Sequence, residues 1–152
     1  MTESTEQRHG RRAVEFGPTG GTVAMNIARL RKTRGFTTRG LSAELRKYGR
    51  VIPPSAISRM ESERRHVTVD DLTALASIFD VSPSALLLPP TDDPANAVEI
   101  TGVGPVAANE AWDWMDGRRR LDQPCADPAT AALEYALYSR PPIRRSRELG
   151  AA

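Results

Sequence analysis

The chain has 152 residues, of which 39% are hydrophobic and 26% charged, and its formal net charge is +2. This length suits one compact domain, or one small domain with appendages. Cys125 is the only cysteine, which excludes an intramolecular disulfide and a cysteine-rich zinc site. No apolar run reaches the ~18–20 residues of a membrane span, and no apolar h-region opens the chain, so we expect a cytoplasmic protein without membrane contact.

The small net charge conceals two blocks of opposite sign. Residues 22–66 hold eleven Arg and Lys against three Glu, a balance of +8, whereas residues 67–117 hold nine Asp and Glu and no Arg or Lys. A basic block is typical of a surface that binds a polyanion. A solvated charged face explains the pattern equally well, and charge alone does not decide between them. The sequence also leaves open whether the acidic block folds over the basic one.

Five short helices are predicted in the first 90 residues. Residues 1–21 are polar and end in Gly-Pro-Thr-Gly-Gly, which predicts a flexible arm. Apolar spacing then predicts helices over residues 22–34, 38–47, 54–62, 69–79 and 84–88. Thr37 and Thr68 are the predicted N-caps, Gly35 and Gly49 the predicted stops, and Pro54 fits a first helical turn. We assign residues 22–90 to one domain.

The remainder has weaker signals. Residues 91–97 are a polar linker, residues 98–101 suggest a strand or extended segment, and residues 102–105 suggest a turn. Helices are predicted over residues 105–116, with Ala108, Trp112 and Met115 on one stripe, and over residues 129–138. We group residues 91–138 as a linker and interaction segment. The Arg- and Pro-rich residues 139–152 form a predicted disordered tail.

The third helix has two contrasting faces. Its spacing i, i+3, i+4, i+7 places four polar residues together, namely Ser55, Ser58, Arg59 and Ser62, and directs Ala56, Ile57 and Met60 towards a core. Short side chains let a helix approach base edges, and arginine bonds guanine bidentately. This layout is typical of a helix that lies in the DNA major groove, but any surface helix can carry a similar face, so the segments around it decide.

Several ordered segments together point to a family. They are residues 30–37 (LRKTRGFT), 41–45 (LSAEL), 55–61 (SAISRME), 72–76 (LTALA) and 79–83 (FDVSP). Over about residues 22–90 the chain resembles the lambda-repressor-like (Cro/C1, XRE-type) helix-turn-helix DNA-binding domains. The resemblance implies an all-α, five-helix DNA-binding domain, here with a small, partly ordered C-terminal extension. The chain departs from the family pattern at two places. Gly40 lacks a capping carboxylate, and residues 46–54, between the second and third helices, form a connection several residues longer than usual.

The resemblance implies a non-enzymatic, sequence-specific transcriptional regulator that binds double-stranded DNA as a homodimer and is nucleoid-associated. The predicted base-contacting residues are Ser55, Ser58 and Arg59. The predicted phosphate-contacting residues are Thr38, Arg39, Lys47, Arg50, Ser62, Arg64 and Arg65. Alternative roles remain for these residues: Arg59 can pair with Glu63 at i+4, the serines can satisfy backbone groups, and some cations can be simply solvated.

Self-association or a protein contact is predicted in residues 98–138. The candidate residues there are Trp112, Trp114, Leu133, Leu137 and Tyr138. A rival hypothesis from another functional class is a protein-interaction adaptor or an antitoxin whose C-terminal segment binds a protein partner. No nucleophile–base or metal-ligating constellation is evident in the sequence, so we expect no catalytic residue, no metal and no cofactor.

Overall fold

The computed structural model describes residues 15–122, 124 and 126–144. Its helices are α1 (Pro18–Thr33), α2 (Thr38–Lys47), α3 (Pro54–Glu61), α4 (Val69–Phe79), α5 (Ser84–Leu87), α6 (Ala108–Met115) and α7 (Pro128–Ser139), and residues 142–144 are also helical. Strands β1 (Ala97–Ile100) and β2 (Gly104–Ala107) pair antiparallel. The protein is therefore mostly helical, and the expectation of an all-α fold is corrected by this two-stranded sheet.

The first five helices surround one core, as the apolar spacing predicted. Its fully buried side chains include Ile27, Leu41, Leu45, Ile57, Met60, Leu75, Phe79 and Leu86. Both predicted N-caps form: Thr37 Oγ1 accepts a hydrogen bond from Gly40 N at 3.0 Å, and Thr68 Oγ1 accepts one from Asp71 N at 3.1 Å. One boundary differs, because α1 already begins at Pro18, whose fixed φ suits a first turn, so the last residues of the predicted arm are helical.

Helices α1, α2 and α3 end with the same backbone closure. In α2, Gly49 N donates to Arg46 O at 3.1 Å and Arg50 N donates to Leu45 O at 2.9 Å. Gly49 has φ +74°, the left-handed conformation that this Schellman closure requires. In α3 the equivalent position is Glu63, with φ +56°, where a non-glycine residue is uncommon. The closure turns the chain sharply after each helix.

A second, smaller unit follows the bundle. Val98 on β1 faces Val106 on β2, and the hairpin packs with α6 around a cluster of Leu88, Val98, Ile100, Ala108 and Ala111. The turn predicted over residues 102–105 is confirmed only in part: residues 101–103 form it, and Gly104 and Pro105 already belong to β2. Residues 105–107, predicted to be helical, lie instead in β2, because pairing with β1 outweighs helix propensity in so short a segment. Pro105 is tolerated at the edge of a two-stranded sheet.

The second unit is hydrogen-bonded to the bundle. Thr19 N donates to Thr101 Oγ1 at 3.2 Å, and Thr101 N donates back to Thr19 Oγ1 at 3.0 Å. Trp112 Nε1 donates to the carbonyl oxygens of Pro89 and Thr91, at 3.2 and 3.0 Å. The predicted linker is thus fixed at its start by the indole of α6.

Helix α7 is the least buried element. None of its side chains is buried. Tyr135 OH donates to Trp114 O at 2.8 Å, and Arg140 Nε donates to Gly117 O at 2.6 Å. Ser139 and Arg140, predicted to begin the disordered tail, therefore belong to structured chain, while residues 145–152 and Cys125 lie outside the described residues. No helix among the described residues is long and apolar enough to cross a membrane.

Candidate nucleic-acid interface

Helix α3 separates its two faces as the sequence predicted. Ala56, Ile57 and Met60 are each about 1% exposed and lie in the bundle core. Ser55 and Ser58 are exposed, in the first turns after Pro54 at the N-terminus. A backbone covered only by short side chains is accessible at this end of the helix.

Arg59 provides the one long side chain of that exposed face. It is exposed, and among the residues the structure describes its guanidinium makes no hydrogen bond or ion pair. Glu63, the alternative partner at i+4, lies beyond the end of α3 in a left-handed conformation, so the helical i, i+4 geometry is lost. Arg59 is therefore available to a ligand.

The serine hydroxyls are partly used within the helix. Ser58 Oγ donates to Pro54 O at 3.2 Å, and Ser62 Oγ donates to Ser58 O at 2.8 Å. Ser62 Oγ also accepts a hydrogen bond from Arg64 Nε at 3.0 Å. A hydroxyl rotates easily and can redirect its hydrogen to an acceptor on DNA, and contact of Ser58 and Ser62 with DNA stays a prediction.

An ion pair that the sequence analysis missed fixes α3 to α1. Arg31 Nε and Nη2 donate to the two carboxylate oxygens of Glu61 at 2.5 and 2.9 Å, and Arg31 Nη1 donates to Phe36 O at 2.9 Å. The hydrogen bonds and the charge of Glu61 raise the pKa of Arg31. Both side chains are only 13% exposed, so water screens the pair weakly. The pair orients the C-terminal end of α3.

A second charge cluster holds the long connection between α2 and α3. Arg50 Nε and Nη2 donate to Asp71 Oδ1 at 3.0 and 2.5 Å, and Arg65 Nη2 lies 3.8 Å from Asp71 Oδ2. The hydrogen bonds that Asp71 accepts from Arg50, and then the charge of Asp71, raise the pKa of Arg50. Asp71 is fully buried. A buried carboxylate of this kind needs its cationic partners.

Comparison with known proteins agrees with this geometry. Residues 27–86 match the family model described as helix-turn-helix, in agreement with the Cro/C1-type resemblance. These residues form a helix-turn-helix domain. No curated protein and no solved structure matches the chain. The helix-turn-helix domain indicates a DNA-binding regulator.

The other predicted phosphate contacts of the helix-turn-helix domain differ in availability. Arg39 and Arg64 are exposed, whereas Lys47 Nζ lies 2.6 Å from Glu44 Oε1 and Thr38 is half-buried at the start of α2. Exposed surface pairs such as Lys47–Glu44 contribute little and exchange readily. The guanidiniums of Arg50 and Arg65, by contrast, face Asp71. Contact of any of them with phosphate stays a prediction.

The residues predicted for a partner contact divide into two groups. Trp112 and Trp114 pack, partly buried, against the second apolar cluster, so the chain itself already gives both indoles neighbours. Leu133, Leu137 and Tyr138 are 73%, 49% and 82% exposed on α7. Of the five predicted partner-contact residues, the three exposed apolar ones therefore lie on α7.

In the part of the chain that is described, the unit formed by β1, β2 and α6 does not cover the exposed face of α3. It is bonded to the start of α1 through Thr101 and to the chain after α5 through Trp112. Ser55, Ser58 and Arg59 remain exposed with that unit in place. Residues 91–122 therefore leave these three side chains accessible to a ligand.

Proposed function

We propose that this protein is a sequence-specific transcriptional regulator that inserts α3 into the DNA major groove and acts as a homodimer. The observation that carries the proposal is Arg59, an exposed cation without a partner in the described residues, on a face whose other members are serines. The core-facing side of the same helix is fully packed, so the exposed face is held in a fixed orientation.

Base recognition rests chiefly on Arg59. A guanidinium that bonds guanine O6 and N7 together contributes about 1–3 kcal/mol of discrimination against other bases. Ser55 and Ser58 add shorter contacts at the N-terminal end of α3, the end that meets base edges in helix-turn-helix complexes.

Phosphate contacts position the helix without specifying a sequence. Arg39 and Arg64, both exposed, are the strongest candidates, with Thr38, Lys47 and Ser62 beside them. Arg50 and Arg65 are engaged in ion pairs with Asp71. They therefore attract the phosphates through their positive charge and not through direct hydrogen bonds. Each phosphate neutralised makes the slope of log affinity against log salt more negative by about 0.9.

Dimerisation fits a helix-turn-helix regulator because two subunits read the two halves of an inverted repeat. The exposed apolar side chains of α7, Leu133, Leu137 and Tyr138, are the proposed contact. The same side chains favour the second candidate function, an adaptor or antitoxin in which α7 binds a different protein.

Selection of bound fragments from sheared genomic DNA tests the proposal. Wild type, Arg59→Ala and Arg59→Lys are compared at one salt concentration. We expect wild type to recover a recurring inverted repeat, with specific binding about 5- to 150-fold weaker in Arg59→Ala, equivalent to 1–3 kcal/mol. Arg59→Lys keeps the charge but not the bidentate geometry, so we expect it to retain non-specific binding and lose discrimination.

Two results would contradict the proposal in different ways. Uniform, salt-sensitive recovery by wild type would mean binding without base recognition. No recovery by wild type at any salt concentration would remove DNA as the ligand and favour the adaptor or antitoxin function.

A further inference from the structure

The connection between α2 and α3 exposes apolar side chains at its centre. Residues 48–53 form this connection; within it Ile52 is 3% exposed and packs in the core, while Val51 is 75% exposed and Tyr48 is 53% exposed. The side chain of Arg50 is directed to Asp71. Val51 is thus an isolated apolar side chain presented to solvent between two anchored residues.

The anchoring makes the position of Val51 well defined. On one side, Arg50 N donates to Leu45 O at 2.9 Å and its guanidinium bonds Asp71. On the other side, Ser42 Oγ donates to Ile52 O at 2.6 Å. A side chain held this way loses little further backbone freedom when it meets a ligand.

The location of Val51 and the charge around it point to DNA rather than to a protein surface. Val51 precedes Pro54, the first residue of α3, by three positions, so it lies at the end of the helix that meets base edges. The last turn of the neighbouring α2 carries exposed Arg46 and Lys47, the latter paired with Glu44 at 2.6 Å. A polyanion such as DNA complements these positive charges. The apolar group that DNA displays in its major groove is the C5-methyl of thymine.

We propose that Val51 packs against a thymine methyl group beside the bases contacted by α3, and so determines specificity at one position of the binding site. This inference rests on the proposed DNA-binding function. It gives the longer connection a role: the extra residues place an apolar contact next to the polar contacts of Ser55 and Arg59.

The size of the effect follows from the area buried. Removal of one methyl group from an apolar contact weakens binding by about fourfold. A thymine replaced by deoxyuridine loses only its C5-methyl group and keeps its hydrogen-bonding pattern, so this replacement isolates the contact from base pairing.

The test uses the full chain and a duplex that it binds specifically, in which each thymine is replaced in turn by deoxyuridine. We expect one position to weaken wild type by about fourfold. Val51→Ala should bind the unmodified duplex less tightly by a similar factor and be insensitive to that replacement. Val69→Ala, at an equally exposed valine (79%) at the start of α4, is the matched control and should behave as wild type.

The inference is overturned if no deoxyuridine position affects wild type, or if the same position weakens Val51→Ala as strongly. Both outcomes leave the proposed function standing, because specific binding to the unmodified duplex is measured in the same experiment. If no duplex is bound by wild type, the proposed function fails first. Thermal melting of Val51→Ala should match wild type, since little of this side chain is buried.

Discussion

Helices α3 and α7 both carry apolar residues four positions apart, yet their surroundings differ. Helix α3 buries Ala56, Ile57 and Met60 and presents a polar face. Helix α7 buries no side chain and presents Leu133 and Leu137. Apolar residues at i, i+4 therefore predict a helix reliably, but only the neighbouring elements determine whether its apolar face lies in a core.

Because their exposed faces differ in polarity, the two helices suit different kinds of ligand. The exposed face of α3 carries hydroxyls and an available guanidinium, which match the edges of bases. The exposed face of α7 is apolar and matches a protein surface. Tyr135 on α7 and Arg140 just after it both donate to main-chain oxygens near the end of α6.

The largest effect is expected on α7. A charge in an apolar contact between subunits is costly to desolvate, so Leu137→Asp should weaken self-association more than tenfold. Sedimentation over a range of protein concentrations measures this. Ala132→Asp adds the same charge at an exposed position on another side of α7 and should change association less. Identical sedimentation of wild type and both variants would remove α7 from the dimer contact.

An intermediate effect, on the free energy of unfolding, is expected from the ion pair between Arg31 and Glu61 that fixes α3 to α1. Glu61→Gln removes the charge that accepts two hydrogen bonds from Arg31, and we expect the free energy of unfolding to fall by about 1–3 kcal/mol. Urea denaturation measures the loss.

Glu44→Gln is the matched control, because it breaks the exposed pair with Lys47 and should cost less than ~1 kcal/mol. Equal losses in the two variants would show that the Arg31–Glu61 pair contributes no more than a surface pair. The orientation of α3 would then depend on core packing alone.

The smallest effect is a pH dependence confined to α7. Asp127 caps this helix; hydrogen bonds from the Thr130 hydroxyl at 2.6 Å, and then from backbone N–H groups, lower the pKa of its carboxyl. A lowered pKa means that the carboxylate stabilises folded α7 above the unfolded value of ~3.9, and that this contribution is lost as pH falls through the lowered pKa.

Amide NMR signals of residues 129–131 between pH 6 and pH 2 measure this loss. Asp127→Asn keeps a capping side chain without a titrating proton, so its α7 signals should not follow that titration. A wild-type α7 that is insensitive to pH over this range would contradict the role of the cap.

Much of the bundle could be predicted from local sequence. Apolar period, the threonine caps and the glycine stops are interactions within a few residues, and the structure confirms Thr37, Thr68 and Gly49 in these positions. The separation of polar and apolar faces on α3 likewise follows from its own eight residues. These features require no knowledge of how distant segments meet.

The features that were missed depend on contacts between distant segments. Arg31 and Glu61 are 30 positions apart, and Arg50 and Asp71 are 21 apart. Neither pair has a local signal, although Arg31 and Glu61 both lie in the segments that carry the family resemblance. The strand at residues 104–107 was missed for the same reason, since it exists only through its pairing with β1.

The burial of Leu88 has a consequence for how the protein unfolds. Leu88 follows the last helix of the bundle, is 1% exposed, and is covered by side chains of the hairpin and α6. Asn26 of α1 donates to the carbonyl oxygen of the same residue at 2.7 Å. A fragment that stopped at Pro90 would expose this leucine, and the bundle and the hairpin unit should therefore melt in a single cooperative transition.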